Sequence, residues 1–271
     1  MFIDSHCHIN FPELAADLDG VVDAMGMNHV THALCVSVNI ETFPAVLAIA
    51  ERFPNVFASV GVHPDDRSGE EPSIERLVNL ANHPKVVAIG ETGLDYYRVQ
   101  GDTQWQRQRF RNHICAARIA QKPLIVHSRE AAEDTLGIMQ GEDASGIGGV
   151  MHCFTETFEV ARQAIDMNFM ISFSGIVTFR NAMALKEVAR AVPLENMLIE
   201  TESPYLAPVP YRGKVNQPAY VRYVAEEIAR IKGISIESVA ETTSENFFKL
   251  FKVGNSNKYL GTNTQILSQL T

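Results

Sequence analysis

The chain has 271 residues, of which 46% are hydrophobic and 20% are charged, and its formal net charge is -9. This composition is typical of a globular protein, and no uncharged apolar stretch is long enough to span a bilayer. The acidic balance argues against a simple DNA-binding module, because phosphate binding normally shows as a basic surface.

The cysteines and the first residues indicate a reducing compartment. Cys7, Cys35, Cys115 and Cys153 are widely spaced and form no C-x-x-C pair, which predicts free thiols rather than a disulfide framework or a zinc ribbon. The N-terminal segment lacks the basic region and the apolar run of a secretory signal. We therefore expect a cytoplasmic protein without membrane contact.

Short β-rich segments alternate with longer amphipathic segments along the chain. Strands are predicted at residues 1–6, 32–38, 55–63, 85–91, 123–128, 148–154, 168–175 and 196–202. Helices are predicted at residues 41–53, 73–83, 103–121, 129–140, 158–167, 181–192 and 218–233. This alternation predicts an α/β fold with a parallel sheet, and eight units favour closure into a single-domain (β/α)8 TIM barrel.

The end of the chain is expected to add little to the barrel. A further helix at residues 235–251 is expected to pack on the barrel exterior as an extra C-terminal helix. The barrel domain then spans residues 1–252. Residues 253–271, rich in Asn, Ser, Thr and Gln, are expected to form a loosely ordered tail.

The first predicted strand carries two histidines and an aspartate among apolar residues. Strand side chains alternate between faces with a period of two, so Asp4, His6 and His8 are expected on one face. The opposite face is expected to carry Ile3, Ser5 and Cys7. Two imidazoles on one face indicate a shared ligand.

Polar side chains follow the predicted strands where each strand ends. In a TIM barrel these ends meet at one rim, which holds the active site. The rim collects His6, His8, His63, Glu91, Asp95, His127, His152, Glu200 and Glu202. A lone histidine there is more often a core or cap residue, but buried carboxylates in this number need a countercharge. The set therefore predicts a bound divalent cation.

The donor types limit the metal without fixing it. Imidazole and carboxylate ligands suit zinc, manganese, nickel or iron, and magnesium where oxygen dominates. The candidate ligands are more than one four-coordinate site uses, which predicts two metals, with Glu91 as the candidate bridge. They are His6, His8, Glu91, His127, His152 and Glu202. Cys7 and Cys153 have the opposite strand parity and are expected to point outward as small hydrophobic residues.

Other residues near the rim have two interpretations each. His63 contacts an anionic substrate group or caps its strand. Asp95 holds a ligand histidine through its second ring nitrogen or forms a turn. The loop after the eighth strand places Arg212, Lys214 and Asn216 where such barrels often bind phosphate, although such loops are also common as solvated turns.

With these residues in place, the chain resembles the TatD-type metal-dependent deoxyribonucleases, within the broader amidohydrolase-like metal hydrolases. The resemblance covers about residues 1–251. It rests on an ordered set of motifs: "DSHCH", "VGVHP", "AIGETGLDYY", "PLIVHSRE", "HCF", "ETESPYLAP" and "RGKVNQP". Each motif alone is weak, whereas the set in this order is highly specific.

The resemblance implies a (β/α)8 barrel with two divalent metals that hydrolyses phosphodiester bonds in DNA, commonly as a 3′ to 5′ exonuclease in repair or degradation. By similarity, His6, His8 and the acid of the "ETES" motif hold one metal, His127 and His152 hold the other, and Glu91 holds both. His63, Asp95, Arg129 and the "RGK" loop are then residues on the substrate side.

One position departs from the family pattern. The family usually has Asp in "ETDSP", whereas this chain has Glu202, whose side chain reaches roughly 1.5 Å further. That carboxylate is expected to touch a metal and to accept a proton from the attacking water, with Glu200 as the second choice. A misplacement of about 1 Å costs on the order of a hundredfold in rate, so activity is less firmly implied than fold.

Three functions follow from these residues. The leading hypothesis is a deoxyribonuclease acting on single-stranded DNA or a 3′ end, in which two cations (Mg, Mn, Zn or Ni) activate a water. The second keeps the metals and replaces DNA with a small amide, ester or phosphoester, because a fold does not fix its substrate. The third is a non-catalytic metal-binding scaffold.

Overall fold

The computed structural model of the chain describes residues 1–97, 99 and 101–254. Its strands, in chain order, are β1 Phe2–Cys7, β2 Val30–Cys35, β3 Val56–Val60, β4 Val86–Asp95, β5 Leu124–Arg129, β6 Gly149–Met151, β7 Phe169–Phe173 and β8 Met197–Ile199. They are parallel and pair in this order, and β1 meets the chain just after β8 where Cys7 bridges to Ser203. The predicted TIM barrel is therefore confirmed. The part of the predicted tail from residue 255 onward lies outside the described residues.

Helices follow the strands around the outside of the barrel. They are α1 Pro12–Ala15, α2 Leu18–Met27, α3 Phe43–Arg52, α4 Ile74–Ala81, α5 Gln104–Ala120, α6 Ala132–Gly141, α7 Phe158–Asp166, α8 Met183–Ala191, α9 Val221–Lys232 and α10 Ile236–Phe251. Short 3-10 helices lie at Ala144–Gly146, Gly175–Thr178, Leu194–Asn196 and Pro218–Tyr220. Among the described residues, no helix combines the length and the apolar character needed to cross a membrane.

Helices α3 to α10 lie within the segments predicted from apolar spacing, except that α6 ends one residue later, at Gly141, and α1 and α2 were not predicted. Two signals for them are present in the sequence. Pro12 occupies the first turn of α1, where its missing N–H is not needed. Asp17 caps α2 by accepting a hydrogen bond from the Gly20 backbone N–H. Glycines at 20 and 26 obscure the apolar periodicity of α2.

The interior of the barrel is closed at the end where the strands begin. One side chain from each strand contributes to a cluster there: Ile3, Leu34, Phe57, Val87, Ile125, Val150, Met170 and Leu198. Phe247, Phe248 and Phe251 of α10 pack into the same cluster. The expectation that this helix covers the barrel exterior was wrong, because its aromatic side chains fill the open end of the barrel instead.

The opposite end of the barrel is polar and carries the candidate site. Three polar side chains follow the interior residues Ile125, Val150 and Leu198 by two positions: His127 in β5, His152 just after β6 and Glu200 just after β8. The strand period of two therefore directs these polar groups toward the barrel axis. Gly90 precedes Glu91 in β4 with a φ of +141°, and a Cβ there would come within 2.6 Å of the Ile125 carbonyl oxygen. A glycine is required at this position for β4 to approach β5 closely.

Candidate metal centre

Glu91 lies at the middle of the polar end of the barrel, and its two carboxylate oxygens face different histidines. Oε2 is 3.3 Å from Nε2 of His6. Oε1 is 2.7 Å from Nε2 of His152 and 3.0 Å from Nδ1 of His127. The side chain of Glu91 is only 2% exposed, so these imidazoles replace water as its surroundings. The carboxylate therefore divides the donors into two groups.

The first donor group joins the two histidines of β1 to the segment after β8. Nε2 of His6 is 3.3 Å from Nε2 of His8 and 3.4 Å from Oε2 of Glu202. The other oxygen of Glu202 is 3.7 Å from Nε2 of His8. Glu202 thus reaches both histidines.

The second donor group lies on β5, β6 and the loop after β3. Nδ1 of His127 is 3.3 Å from Nε2 of His152. Nε2 of His63 is 3.4 Å from Oε1 of Glu91, which places a third imidazole beside this group. His63 was predicted as a substrate contact or a cap, and its position beside Glu91 makes it a further possible ligand.

The spacing of these atoms fits a metal ion. Two ligand atoms about 2.1 Å from one ion at a tetrahedral angle lie about 3.4 Å apart. The separations from Nε2 of His6 to the atoms of His8, Glu91 and Glu202 are 3.3 to 3.4 Å and agree with that value, and those from Nε2 of His8 to the two carboxylates are 3.8 and 3.7 Å. Among the described residues, Oε2 of Glu202, which faces Nε2 of His6, is a buried atom without a hydrogen-bond partner. Buried polar atoms rarely lack partners, which supports a bound cation.

Hydrogen bonds to the far ring nitrogens orient two of the histidines. Nδ1 of His8 donates to the Val36 carbonyl at 3.0 Å, which leaves the Nε2 lone pair facing the first group. Nε2 of His127 lies 3.1 Å from Oδ2 of Asp95 and donates to it, which leaves the Nδ1 lone pair facing the second group. Such outer partners fix the tautomer of metal-binding histidines. The contact of Asp95 with His127 is the one expected from the first of its two interpretations, in which it holds a ligand histidine.

The pKa directions of the two glutamates show how strongly the histidines act on them. Burial alone would raise the pKa of Glu91, but the facing His152 and His63 outweigh it and hold the pKa well below its ordinary value. Burial is likewise outweighed at Glu202, where His6 and His8 lower the pKa to about 2. Both carboxyl groups are ionised at neutral pH.

The histidines respond in two directions. Burial opposes protonation of His152, but Glu91 and Glu200 raise its pKa well above the ordinary value. The pKa of His127 is also raised, because Asp95 and Glu91 outweigh burial. At His63 burial dominates and lowers the pKa to about 4. The His63 ring is therefore neutral at physiological pH.

Comparison with known proteins identifies the group to which this arrangement belongs. Residues 3–252 match the family model described as TatD related DNase. The chain belongs to the TatD family. It is 45% identical to the uncharacterized metal-dependent hydrolase YcfH of Escherichia coli K12 over 93% of this chain and 96% of that protein.

Two further comparisons cover almost the same length. The chain is 33% identical to a Salmonella typhimurium protein named 3′-5′ ssDNA/RNA exonuclease TatD, over 92% of this chain and 98% of that protein. The crystal structure of YJJV, a TatD homologue from Escherichia coli K12, superposes with a TM-score of 0.87 at 26% identity, over 93% of this chain and 98% of that one. Together these relatives establish a metal-dependent hydrolase of the TatD family.

In this TatD-family chain, the predicted alternation of the β1 side chains between two faces is only partly observed. His6 and His8 do converge, but Asp4 does not join them. Its carboxylate accepts hydrogen bonds from the backbone N–H and the hydroxyl of Thr201. The pairing of β1 with β2 shifts register between Asp4 and Cys7, which breaks the period of two.

The two cysteines beside the ligands differ from each other. Cys7 is buried in the layer between strands and helices, as predicted. Cys153 was expected to point outward, and this was wrong. It lies after β6 with a φ of +43° and lines a cavity of about 330 Å³ together with His152 and Glu202. A larger surface hollow of about 660 Å³ lies elsewhere, beside Met1 and His32, and contains no cluster of candidate ligands.

The predicted substrate-side residues divide into exposed and buried ones. Arg129 is exposed, lines the same cavity and stacks 3.8 Å above the Tyr97 ring. Arg212 stacks 3.6 Å above Phe179, and Lys214 is exposed in the same loop. The charged groups of Arg212 and Lys214 remain available to a ligand.

Asn216 does not fit the predicted substrate contact. It is 0% exposed, and its side-chain amide donates to the carbonyls of Thr201 and Tyr205 at 2.8 and 2.6 Å. Its side-chain oxygen accepts from the Gln217 N–H. The prediction was wrong because the side-chain amide of Asn216 is buried and forms its hydrogen bonds with the backbone. These bonds hold the loop after β8 in place.

Helix α5 supports the centre through residues that sequence reasoning missed. The buried Gln106 makes two 3.0 Å hydrogen bonds, one to the backbone N–H and one to the carbonyl of Asp95. Arg109 donates to the His63 carbonyl at 2.9 Å. His113 accepts from the Val62 N–H at 3.1 Å. Polar residues spaced three and four apart along an otherwise apolar helix face were the available signal.

Proposed function

We propose that this chain is a metal-dependent deoxyribonuclease that removes nucleotides in the 3′ to 5′ direction from single-stranded DNA. The observation that carries the proposal is the pair of donor groups that share Glu91, since two adjacent cations suit phosphodiester hydrolysis. The name of the Salmonella relative supports the substrate.

The donor geometry suggests which residues hold each cation. His6, His8 and Glu202 would hold one, His127 and His152 would hold the other, and Glu91 would contact both. The ions are divalent Mg, Mn, Zn or Ni. When bound, they would supply Lewis acidity to a phosphoryl oxygen and lower the pKa of a bridging water.

The chain's own residues supply positioning and proton transfer. Glu202 is 17% exposed, so its carboxylate meets both the histidines and the cavity. It is ionised at neutral pH and can accept a proton from the attacking water. Asp95 and the Val36 carbonyl keep the rings of His127 and His8 in orientation.

Charged residues around the cavity account for substrate binding by an acidic protein. Arg129 lines the cavity beside His127, and a guanidinium binds phosphate oxygens through paired hydrogen bonds. We assign Arg212 and Lys214 to the next phosphates along the strand. Two divalent cations add about four positive charges, which offsets part of the net charge of -9.

The experiment combines metal analysis with a degradation ladder. A 5′-labelled single-stranded oligonucleotide should be shortened from its 3′ end, chelation should stop the reaction, and Mn²⁺ or Mg²⁺ should restore it. The variant Glu91→Gln should lose both bound metal and activity. DNA cleavage that survives exhaustive chelation would refute the proposal.

Two other results would point to the remaining hypotheses. Intact DNA together with hydrolysis of amide, ester or phosphoester substrates would favour a small-molecule hydrolase. Bound metal with no hydrolysis of any of these would favour a scaffold. A role in DNA repair and a cytoplasmic location stay predictions.

A further inference from the structure

A short series of aromatic rings leads from a candidate metal ligand to the protein surface. The Phe11 ring stacks on the His8 imidazole, with centroids 4.9 Å apart and planes 15° apart. Tyr205 meets Phe11 edge to face at 6.1 Å. Phe11 is half-buried, whereas Tyr205 is 53% exposed. Tyr205 therefore presents aromatic surface to solvent three residues after the candidate ligand Glu202.

Both rings are held by the segments that carry the candidate ligands. The Phe11 N–H donates to the His8 carbonyl at 3.0 Å, and the Tyr205 N–H donates to the Glu202 carbonyl at 3.0 Å. The Tyr205 carbonyl accepts from the buried Asn216 amide. These hydrogen bonds fix the backbone that carries each ring, which lowers the entropic cost of ordering the segment on binding.

We propose that Phe11 and Tyr205 form a stacking subsite for a nucleobase next to the hydrolysed phosphate. This inference rests on the proposed nuclease function and specifies its substrate. A base can stack on an exposed ring only when its face is free, as in single strands. Phosphates of the same strand would meet the Arg129 side of the cavity. The subsite therefore favours substrates that carry a base beside the hydrolysed phosphate over small esters without a base.

The test measures binding separately from cleavage. The probe is a fluorescently labelled, phosphorothioate-linked oligothymidylate, which resists hydrolysis, with its affinity for the purified protein read by anisotropy. Tyr205→Ala should weaken binding about 5- to 150-fold, which is the range for loss of one stacked base. Tyr205→Trp should restore it. A probe with abasic sugars should bind weakly and equally to wild type and Tyr205→Ala.

A matched control distinguishes stacking from a general loss of surface hydrophobicity. Ile119 on α5 is 59% exposed and is not among the described residues that line the cavity, so Ile119→Ala should bind like wild type. Equal affinity of wild type and Tyr205→Ala for the base-containing probe, or no binding by the wild type, would overturn the subsite. Binding that depends on Tyr205 without cleavage of ordinary DNA would instead keep the subsite and refute the nuclease function.

Discussion

Replacing Gln106 by Leu tests whether helix α5 supports the metal centre. The change removes two 3.0 Å hydrogen bonds and leaves the N–H and the carbonyl of Asp95 buried without that partner. Each such group costs about 1–3 kcal/mol, so the free energy of unfolding should fall by about 2–6 kcal/mol. Asp95 would then hold His127 less well, and loss of such an outer partner lowers metal affinity about 10- to 100-fold.

The assay pairs urea denaturation with competition against a chelator for Zn²⁺ or Mn²⁺. Asn246→Leu is the matched control. The Asn246 amide also donates to two backbone carbonyls, those of Leu194 and Met197, at the start of β8.

The control should lose comparable stability without any change in metal affinity. The reasoning about α5 is refuted if folded Gln106→Leu binds metal as tightly as wild type. It is also refuted if Asn246→Leu weakens metal binding to the same extent, since general destabilisation would then explain both.

Three other predictions concern His113, Glu202 and the metal itself. Burial lowers the pKa of His113 to about 4, below its value of 6.5 in the unfolded chain, so its contribution to stability is present above pH 6.5 and is lost as the pH falls toward 4. Wild type should therefore lose about 3 kcal/mol more than His113→Gln over this range in urea titrations; parallel curves would contradict this. Glu202→Asp draws the carboxylate about 1.5 Å back from His6, and kcat on DNA should fall up to about a hundredfold. An equal or higher kcat would show that the longer side chain of Glu202 does not place the carboxylate better than Asp does. Chelation should lower the melting temperature, and refilling should restore it; a melting temperature indifferent to metal would argue against the donor groups.

The barrel could be predicted from sequence because its signals are local and repeated. Each strand is a short apolar run, each of the helices α3 to α10 has apolar spacing of three and four, and the chemistry follows at the strand ends. The convergence of His6, Glu91 and His152 also follows from this rule, since the carboxyl ends of barrel strands share one rim.

The predictions that were wrong concern residues whose local sequence is compatible with more than one arrangement, so that only tertiary contacts decide between them. A register shift between Asp4 and Cys7 is invisible in a pattern that reads as perfect alternation. Asn216 has the same amide whether it binds a phosphate or two backbone carbonyls, and only the path of the loop decides. Helix α10 is amphipathic in sequence, but its three phenylalanines fit the open end of the barrel rather than its outer wall.

Protons and divalent cations compete for the same atoms in this centre. Glu91 and Glu200 raise the pKa of His152 well above its ordinary value, against the effect of burial, so they make the ring both a stronger metal donor and a better proton acceptor. A protonated imidazole cannot bind a cation, and metal binding must therefore release protons. Glu200 lies 3.5 Å from Nδ1 of His152, on the face away from the nitrogen that points to Glu91. Through this contact, Glu200 adds to the effect of Glu91 in raising the pKa of the His152 ring.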